Sequence, residues 1–224
     1  MSTLFSGGRI FDGMGSTLDD HAVLVEDQKI QRIAPQSEFS GFDGEVFDVS
    51  GGTLLPGLID CHVHLVYCGE ADPGAKVMKL KPGQIVMRAL ANAQQSLSGG
   101  TTSLRDLGGR DFLEFAVRDA CNSGEQFGPT IRAAGQIICM TGGHGNQHGR
   151  VADGPDEVVK AGGSLWCPYY KDITATDLAR ARAVGLCVAV WTVNALEDID
   201  RMIDLHVDAI ITDYPGRVQR RLSD

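Results

Sequence analysis

The feature that most constrains the fold is a change of rhythm at Thr53, from short β-rich segments to alternating strands and helices. Before Thr53, Gly and Asp residues punctuate the β-rich segments, which predicts a small antiparallel sheet layer over residues 1–57. After it, apolar strands alternate with helical patterns such as Pro82–Ser98, where apolar residues recur every 3.6 positions. Continuous apolar strands linked by helices predict a parallel sheet that is covered on both faces.

The predicted strands of this second part begin near residues 53, 101, 130, 165, 186 and 209. A complete barrel of this kind needs eight strand–helix units, so six are too few. We therefore predict an α/β fold, an incomplete (β/α) TIM-type barrel preceded by a small N-terminal β-sheet layer. The predicted divisions are 1–57 for the layer, 58–161 for the first half of the barrel and 162–224 for its last part.

Composition excludes several classes of function. The net charge of −9 argues against nucleic-acid binding, because contact with phosphates needs clustered Lys and Arg. No apolar run approaches the ~18 residues that cross a bilayer, and Met1–Gly8 lacks a basic leader, so we expect a cytoplasmic protein without membrane contact. The six cysteines are scattered without a CxxC spacing, which favours buried free thiols over a disulfide framework or a zinc ribbon.

Two histidines, His62 and His64, flank Val63 at the end of the first barrel-like strand. Side chains at positions i and i+2 of a strand point to the same face, so the two imidazoles can bind one metal ion. The spacing alone is more often that of two ordinary strand histidines, and the surrounding motif is needed to favour the metal.

The histidine pair belongs to one of three informative segments, which are Leu55–His64, Gly99–Asp106 and Thr141–Gly154. These segments resemble the metal-dependent amidohydrolase superfamily, in its imidazolonepropionase-like and prolidase-like branch. The resemblance implies hydrolysis of an amide or peptide-like C–N bond by a hydroxide on a divalent metal, with Zn²⁺ the expected ion and a small-molecule or peptide-like substrate. It also places His144, in a glycine-rich loop, near the substrate, although a solvated loop histidine is the alternative.

The chain departs from that family in its middle. The family adds a lysine on strand four, histidines on strands five and six, and an aspartate on strand eight, and the strands that carry the first three are missing here. Lys160 has the spacing of a surface helix residue, and Lys171 is only a remote replacement for the lysine. We therefore expect impaired activity.

The last part of the chain contains three further informative segments, which are Trp166–Pro168, Val190–Asn194 and Val207–Pro215. They resemble a different family, the glycerophosphodiester phosphodiesterases. The resemblance implies that Trp191 lines a substrate pocket, with a core tryptophan as the alternative. That family takes its catalytic histidines and acidic metal ligands from its N-terminal half, which this chain does not contain. The chain therefore looks like a chimera, either a truncated or wrongly assembled reading frame or a true fusion.

Asp213 could join the two parts in one site. If the barrel closes, its last strand lies beside the first, and Asp213 follows that last strand at the end where His62 and His64 lie. Resemblance gives an aspartate at this place a metal-binding role and a catalytic role as acceptor of the water's proton. We predict a zinc site of His62, His64 and Asp213, with Cys167 as a remote extra ligand; the alternative is that Asp213 only caps the turn before Pro215.

Three functions remain open from the sequence. They are an impaired amidohydrolase-type hydrolase, a glycerophosphodiester phosphodiesterase, and a non-catalytic fragment that associates through unpaired strand edges. Because such edges recruit other chains, a homo-oligomer is expected.

Overall fold

The computed structural model describes residues 2–143 and 149–223 of a mixed α/β chain. The chain divides into two compact units, one of Met1–Asp60 with Leu97–Ser103 and the other of Cys61–Ser96 with Leu104–Asp224. Within the described ranges, no helix is both long enough and apolar enough to pass through a bilayer.

The first unit is built from short strands that form two sheets. A 3-10 helix covers Gln36–Phe39. The strands are β1 (Ser2–Ser6), β2 (Arg9–Phe11), β3 (Thr17–Leu18), β4 (His21–Glu26), β5 (Lys29–Pro35), β6 (Glu45–Asp48) and β7 (Thr53–Leu54). Their orders are β5-β4-β1-β6 in one sheet and β3-β2-β7 in the other.

The predicted antiparallel layer is wrong in one respect, because both sheets are mixed. Strands β4 and β5 form an antiparallel hairpin whose turn residues Asp27 and Gln28 both have positive φ, as a tight turn of this hand requires. However, β1 pairs in parallel with β6, and β2 in parallel with β7. Two neighbouring parallel strands need a long connection between them, and here the other strands of the layer form that connection.

The remaining elements alternate between strand and helix, as predicted. Strands β8 and β9 begin in the first unit and end in the second. The elements are β8 (Leu58–Val63), α1 (Pro73–Met78), α2 (Pro82–Ser98), β9 (Thr101–Asp106), α3 (Glu114–Asn122), β10 (Thr130–Ala133), β11 (Ile138–Cys139), β12 (Arg150–Val151), α4 (Pro155–Lys160), β13 (Leu165–Trp166), α5 (Ala175–Ala183), β14 (Cys187–Val190), α6 (Leu196–Asp204), β15 (Ala209–Ile210) and α7 (Pro215–Ser223).

These strands form several short sheets. Their orders are β10-β9-β8, β11-β12 and β13-β14-β15. Among the described residues, β8 is joined to β9 and β15 to β14, and no ladder connects the first of these strands with the last. A closed barrel is therefore not present in the described pairing. The expectation of strands covered on both faces also fails for β8, where Leu58 and Ile59 are 53% and 70% exposed.

Two separate apolar clusters stabilise the second unit. The first forms where α2 buries Ile85, Ala89 and Ala93 against Leu104 of β9, which is the apolar face that the 3.6-residue period predicts. The second lies between β14 and α6 and contains the fully buried residues Val188, Val190, Ile199 and Met202.

Candidate functional site

His62 and His64 lie together at the end of β8. His62 is exposed and His64 is half-buried just past the strand. Their ring centroids are 5.6 Å apart and the ring planes meet at 74°. The alternation of side chains along a strand brings the two imidazoles to one place, as the sequence predicts.

A backbone contact determines which nitrogen of His64 can bind a metal. Nδ1 of His64 lies 2.7 Å from the carbonyl oxygen of Gly108. A carbonyl can only accept a hydrogen bond, so Nδ1 must carry the proton and donate it. The lone pair is then on Nε2, the nitrogen left for a metal, and this is the usual way in which outer contacts orient a ligating histidine.

The buried carboxylate of Asp106 holds the backbone on which the His64–Gly108 hydrogen bond depends. Its two oxygens accept hydrogen bonds from the amides of Leu65 and Gly108, each at 2.7 Å. Gly108 is thus bonded on both sides, through its amide to Asp106 and through its carbonyl to His64. Burial raises the pKa of Asp106, while the two amides and the nearby His64 lower it.

Gly108 can occupy this position because it has no side chain. Its φ is +110°, a conformation that L side chains rarely adopt, and an added Cβ would lie 2.6 Å from the carbonyl oxygen of Gly135. The glycine therefore allows the tight approach that brings its carbonyl to His64.

Asn92 of α2 ties down the loop that follows the histidines. Its side-chain amide donates to the carbonyls of Leu65 and Tyr67, both at 2.7 Å. An open pocket of about 370 Å³ borders His64, Tyr67, Cys68 and Asn92. The histidine pair therefore has a held loop and an accessible recess beside it.

Asp213 belongs to a separate polar network at the end of β15. The side-chain amide of Asn194 donates to its carboxylate at 2.7 Å, and the Asp213 amide donates back to the Asn194 side-chain oxygen at 3.0 Å. The Tyr214 amide donates to the hydroxyl of Thr212. Thr212 thus makes a side-chain hydrogen bond in the turn before Pro215, the role that the alternative interpretation gave to Asp213. Within residues 2–143 and 149–223, no group of three or more His, Cys, Asp or Glu side chains is arranged to hold a metal, so the three-ligand site remains a prediction.

Three further predictions concern Trp191, His144 and the cysteines. Trp191 is 40% exposed, which disfavours the core alternative; its indole N–H donates to the Cys167 carbonyl and its ring lies 5.5 Å from that of Tyr169. His144 lies outside the described residues. All six cysteines are free thiols, but Cys121 is the buried one, so their predicted general burial is wrong.

The chain is similar in sequence to enzymes of known activity. Over 55 residues the chain is 50% identical to an imidazolonepropionase of Chromobacterium violaceum, and this covers 24% of the chain and 13% of that enzyme. Over 152 residues it is 26% identical to an ochratoxinase of Aspergillus niger, covering 64% of the chain and 30% of that enzyme. The chain resembles the amidohydrolase superfamily.

Solved structures show the same likeness in fold. An amidohydrolase superposes with a TM-score of 0.68 at 24% identity, covering 97% of this chain and 65% of its own. A Xaa-Pro dipeptidase with bound methionine in its active site gives 0.66 at 25% identity, covering 94% and 61%. This chain thus spans about two thirds of these amidohydrolase-like structures and a third or less of the curated relatives.

The last part of the chain matches a different family. Residues 156–217 match the glycerophosphoryl diester phosphodiesterase family. Both resemblances that the sequence predicts are therefore confirmed. The amidohydrolase-like structural match nevertheless extends over nearly the whole chain.

Proposed function

We propose that the chain is a metal-dependent hydrolase of the amidohydrolase type that acts on amide or peptide-like C–N bonds. The observation that carries this proposal is the pair His62 and His64, with the proton of His64 committed to Gly108 and Nε2 left as a ligand. The relatives are hydrolases of the same superfamily, and one solved neighbour is a prolidase complexed with N-methylphosphonate-L-proline. A peptide-like substrate is therefore the class to test.

The two imidazoles suit two positions of a divalent ion, for which Zn²⁺ is our proposal. A bound zinc would polarise the scissile carbonyl and lower the pKa of water toward ~7. The chain's own residues orient the ligands, since Asp106 and Asn92 both hydrogen-bond to the backbone of Leu65, the residue directly after His64. Because the family's middle ligands have no counterpart in this sequence, we propose impaired activity, with Asp213 as a third ligand and proton acceptor.

Zinc binding tests this proposal directly. We expect the His62→Ala/His64→Ala variant to bind zinc at least about tenfold more weakly than the parent in calorimetry, because both imidazole ligands are lost. His21→Ala is the matched control, since the His21 Nδ1 also lies 2.7 Å from a backbone carbonyl, that of Asp19. We expect that variant to bind zinc like the parent.

The outcome can contradict the proposal in two ways. Equal zinc affinity in the parent and the double histidine variant would remove the metal site altogether. Zinc binding that survives Asp213→Ala unchanged, while the double histidine variant loses it, would remove Asp213 from the site and leave the histidines.

A second candidate function is phosphodiester hydrolysis, favoured by the family match over residues 156–217. The exposed Trp191 and the Asn194–Asp213 pair lie in this segment and could form a pocket wall. We expect no turnover of glycerophosphocholine above background, because wall residues cannot replace general acid–base histidines and metal-bound carboxylates. Enzymatic detection of the released choline measures this, and turnover that falls on Trp191→Phe substitution would establish the second function.

A chain that binds no zinc and hydrolyses neither class of substrate fits the third candidate, a non-catalytic fragment. Zinc content of the purified protein therefore separates the first candidate from the third.

A further inference from the structure

Glu114 is a buried acid that the proposed site does not use. It is the first residue of α3, its side chain is fully buried, and neither carboxyl oxygen has a hydrogen-bond partner among the described residues. Three backbone donors nearby have other acceptors. Leu65 and Gly108 donate to Asp106, and the Gly109 amide donates to the Gly135 carbonyl at 2.8 Å.

The surroundings of Glu114 connect it to the histidine pair. A Cβ built on Gly109 would lie 2.9 Å from Oε2 of Glu114 and 3.0 Å from Cγ1 of Val66, so the carboxyl packs against the Gly109 backbone. Gly109 follows directly after Gly108, whose carbonyl accepts the His64 hydrogen bond. The carboxyl thus supports the turn that orients His64.

The charged groups around Glu114 act in opposite directions on an anion there. Asp106 at the end of β9 repels it, and Arg118 on its own helix attracts it weakly. Beyond Asp106 lie Tyr67, whose pKa is raised by burial and by Asp106, and His64, which favours the ionised form of Asp106. An ionised carboxylate without a partner in such a place is strongly unfavourable.

We propose that Glu114 is buried as a neutral carboxylic acid and acts as a proton-controlled positioning residue for His64. While Glu114 holds its proton, the Gly108–Gly109 turn stays packed and its carbonyl faces His64. When the proton is lost, a negative charge appears beside the carboxyl group of Asp106 and the turn loosens. The role of His64 as a metal ligand rests on the proposed function, but the protonation and the positioning do not.

The electrostatics agree in direction with this geometry. Burial raises the pKa of Glu114 to about 7, and Asp106 adds to the rise, while the Glu114 and Gly109 amides and Arg118 oppose it. The folded value lies above the ordinary 4.5, so the associated stability is fully present below about pH 4.5 and is lost as the pH rises through about 7.

The experiment uses the metal-free full chain, so that it is independent of zinc binding. The parent, Glu114→Gln and the exposed control Glu125→Gln are compared by infrared spectroscopy at the carboxylic-acid C=O stretch. At pH 6 we expect an acid band in the parent and in Glu125→Gln that is missing in Glu114→Gln. The band should titrate away in the parent as the pH rises to 8. A parent without such a band overturns the proposal, even if Glu114→Gln fails to fold.

A second measurement tests positioning. We expect the His64 Nδ1 proton, assigned in nitrogen-edited NMR spectra by comparison with His64→Ala, to exchange with water at least about threefold faster in the parent at pH 8 than in Glu114→Gln. At pH 6 the two proteins should not differ. Equal exchange in both proteins at both pH values would leave Glu114 as a structural residue only and overturn the positioning role. Failure of zinc binding would instead remove the proposed function and leave this result standing.

Discussion

Replacing Asp106 with alanine is expected to destabilise the protein by about 2–6 kcal/mol, because two buried donors lose their acceptor at about 1–3 kcal/mol each. The donors are the amides of Leu65 and Gly108, which both lie 2.7 Å from the Asp106 carboxylate. Urea unfolding followed by far-ultraviolet circular dichroism measures the change as a lower midpoint at an unchanged slope.

Asp12→Ala provides a matched control for this prediction. The Asp12 carboxylate also accepts two backbone hydrogen bonds, from Met14 at 2.7 Å and Ser16 at 3.0 Å, but in an exposed turn. Water can take over as acceptor there, so the midpoint should move much less. If both variants lose the same stability, the burial of Asp106 is not what makes its two bonds important.

Helices were the part of the fold that the sequence predicted best. The structure places α2 at Pro82–Ser98, the same bounds that the 3.6-residue period and the terminal proline indicate. The pattern is local, since each apolar residue on one face lies three or four positions from the next. Tertiary packing then buries that same face, at Ile85, Ala89 and Ala93.

Strands were harder to delimit because their ends depend on partners elsewhere in the chain. The apolar run Thr130–Met140 predicts one strand, but the structure has β10 and β11 with Gly135 at φ +87° between them. Gly135 accepts a hydrogen bond from the Gly109 amide, so a residue far away in sequence contacts the backbone at the break. No local pattern contains that information.

In the candidate site, too, the sequence predicted the residues of a local pattern and missed those that act on distant parts of the chain. The HxH spacing and its motif identify His62 and His64, but not the residues that hold them. Asp106 and Asn92 act on backbone groups 41 and 27 residues away, and Glu114 is exceptional only for its burial. The position of Asp106 at the C-terminal end of a predicted barrel strand, Thr101–Asp106, is the one signal that could have pointed to it.

Removing the side chain of Ile199 tests whether the phosphodiesterase-like part of the chain forms a real core. Ile199 is fully buried on α6, in the cluster that contains Val188, Val190 and Met202. Ile199→Ala should lower the free energy of unfolding by about 2–5 kcal/mol, because it removes buried methyl groups and leaves a cavity. Both tryptophans of the chain, Trp166 and Trp191, lie in this part, so their fluorescence reports its unfolding.

Leu196→Ala is the control for Ile199→Ala, since Leu196 lies on the same helix and is 51% exposed. A substitution at that exposed position should change stability by no more than about 0.5 kcal/mol. If the two variants unfold at the same urea concentration by tryptophan fluorescence, the cluster around α6 is not packed in solution, and the non-catalytic fragment becomes the better account of the chain. A large loss confined to Ile199→Ala would mean that the segment matching the phosphodiesterase family folds around its own apolar cluster.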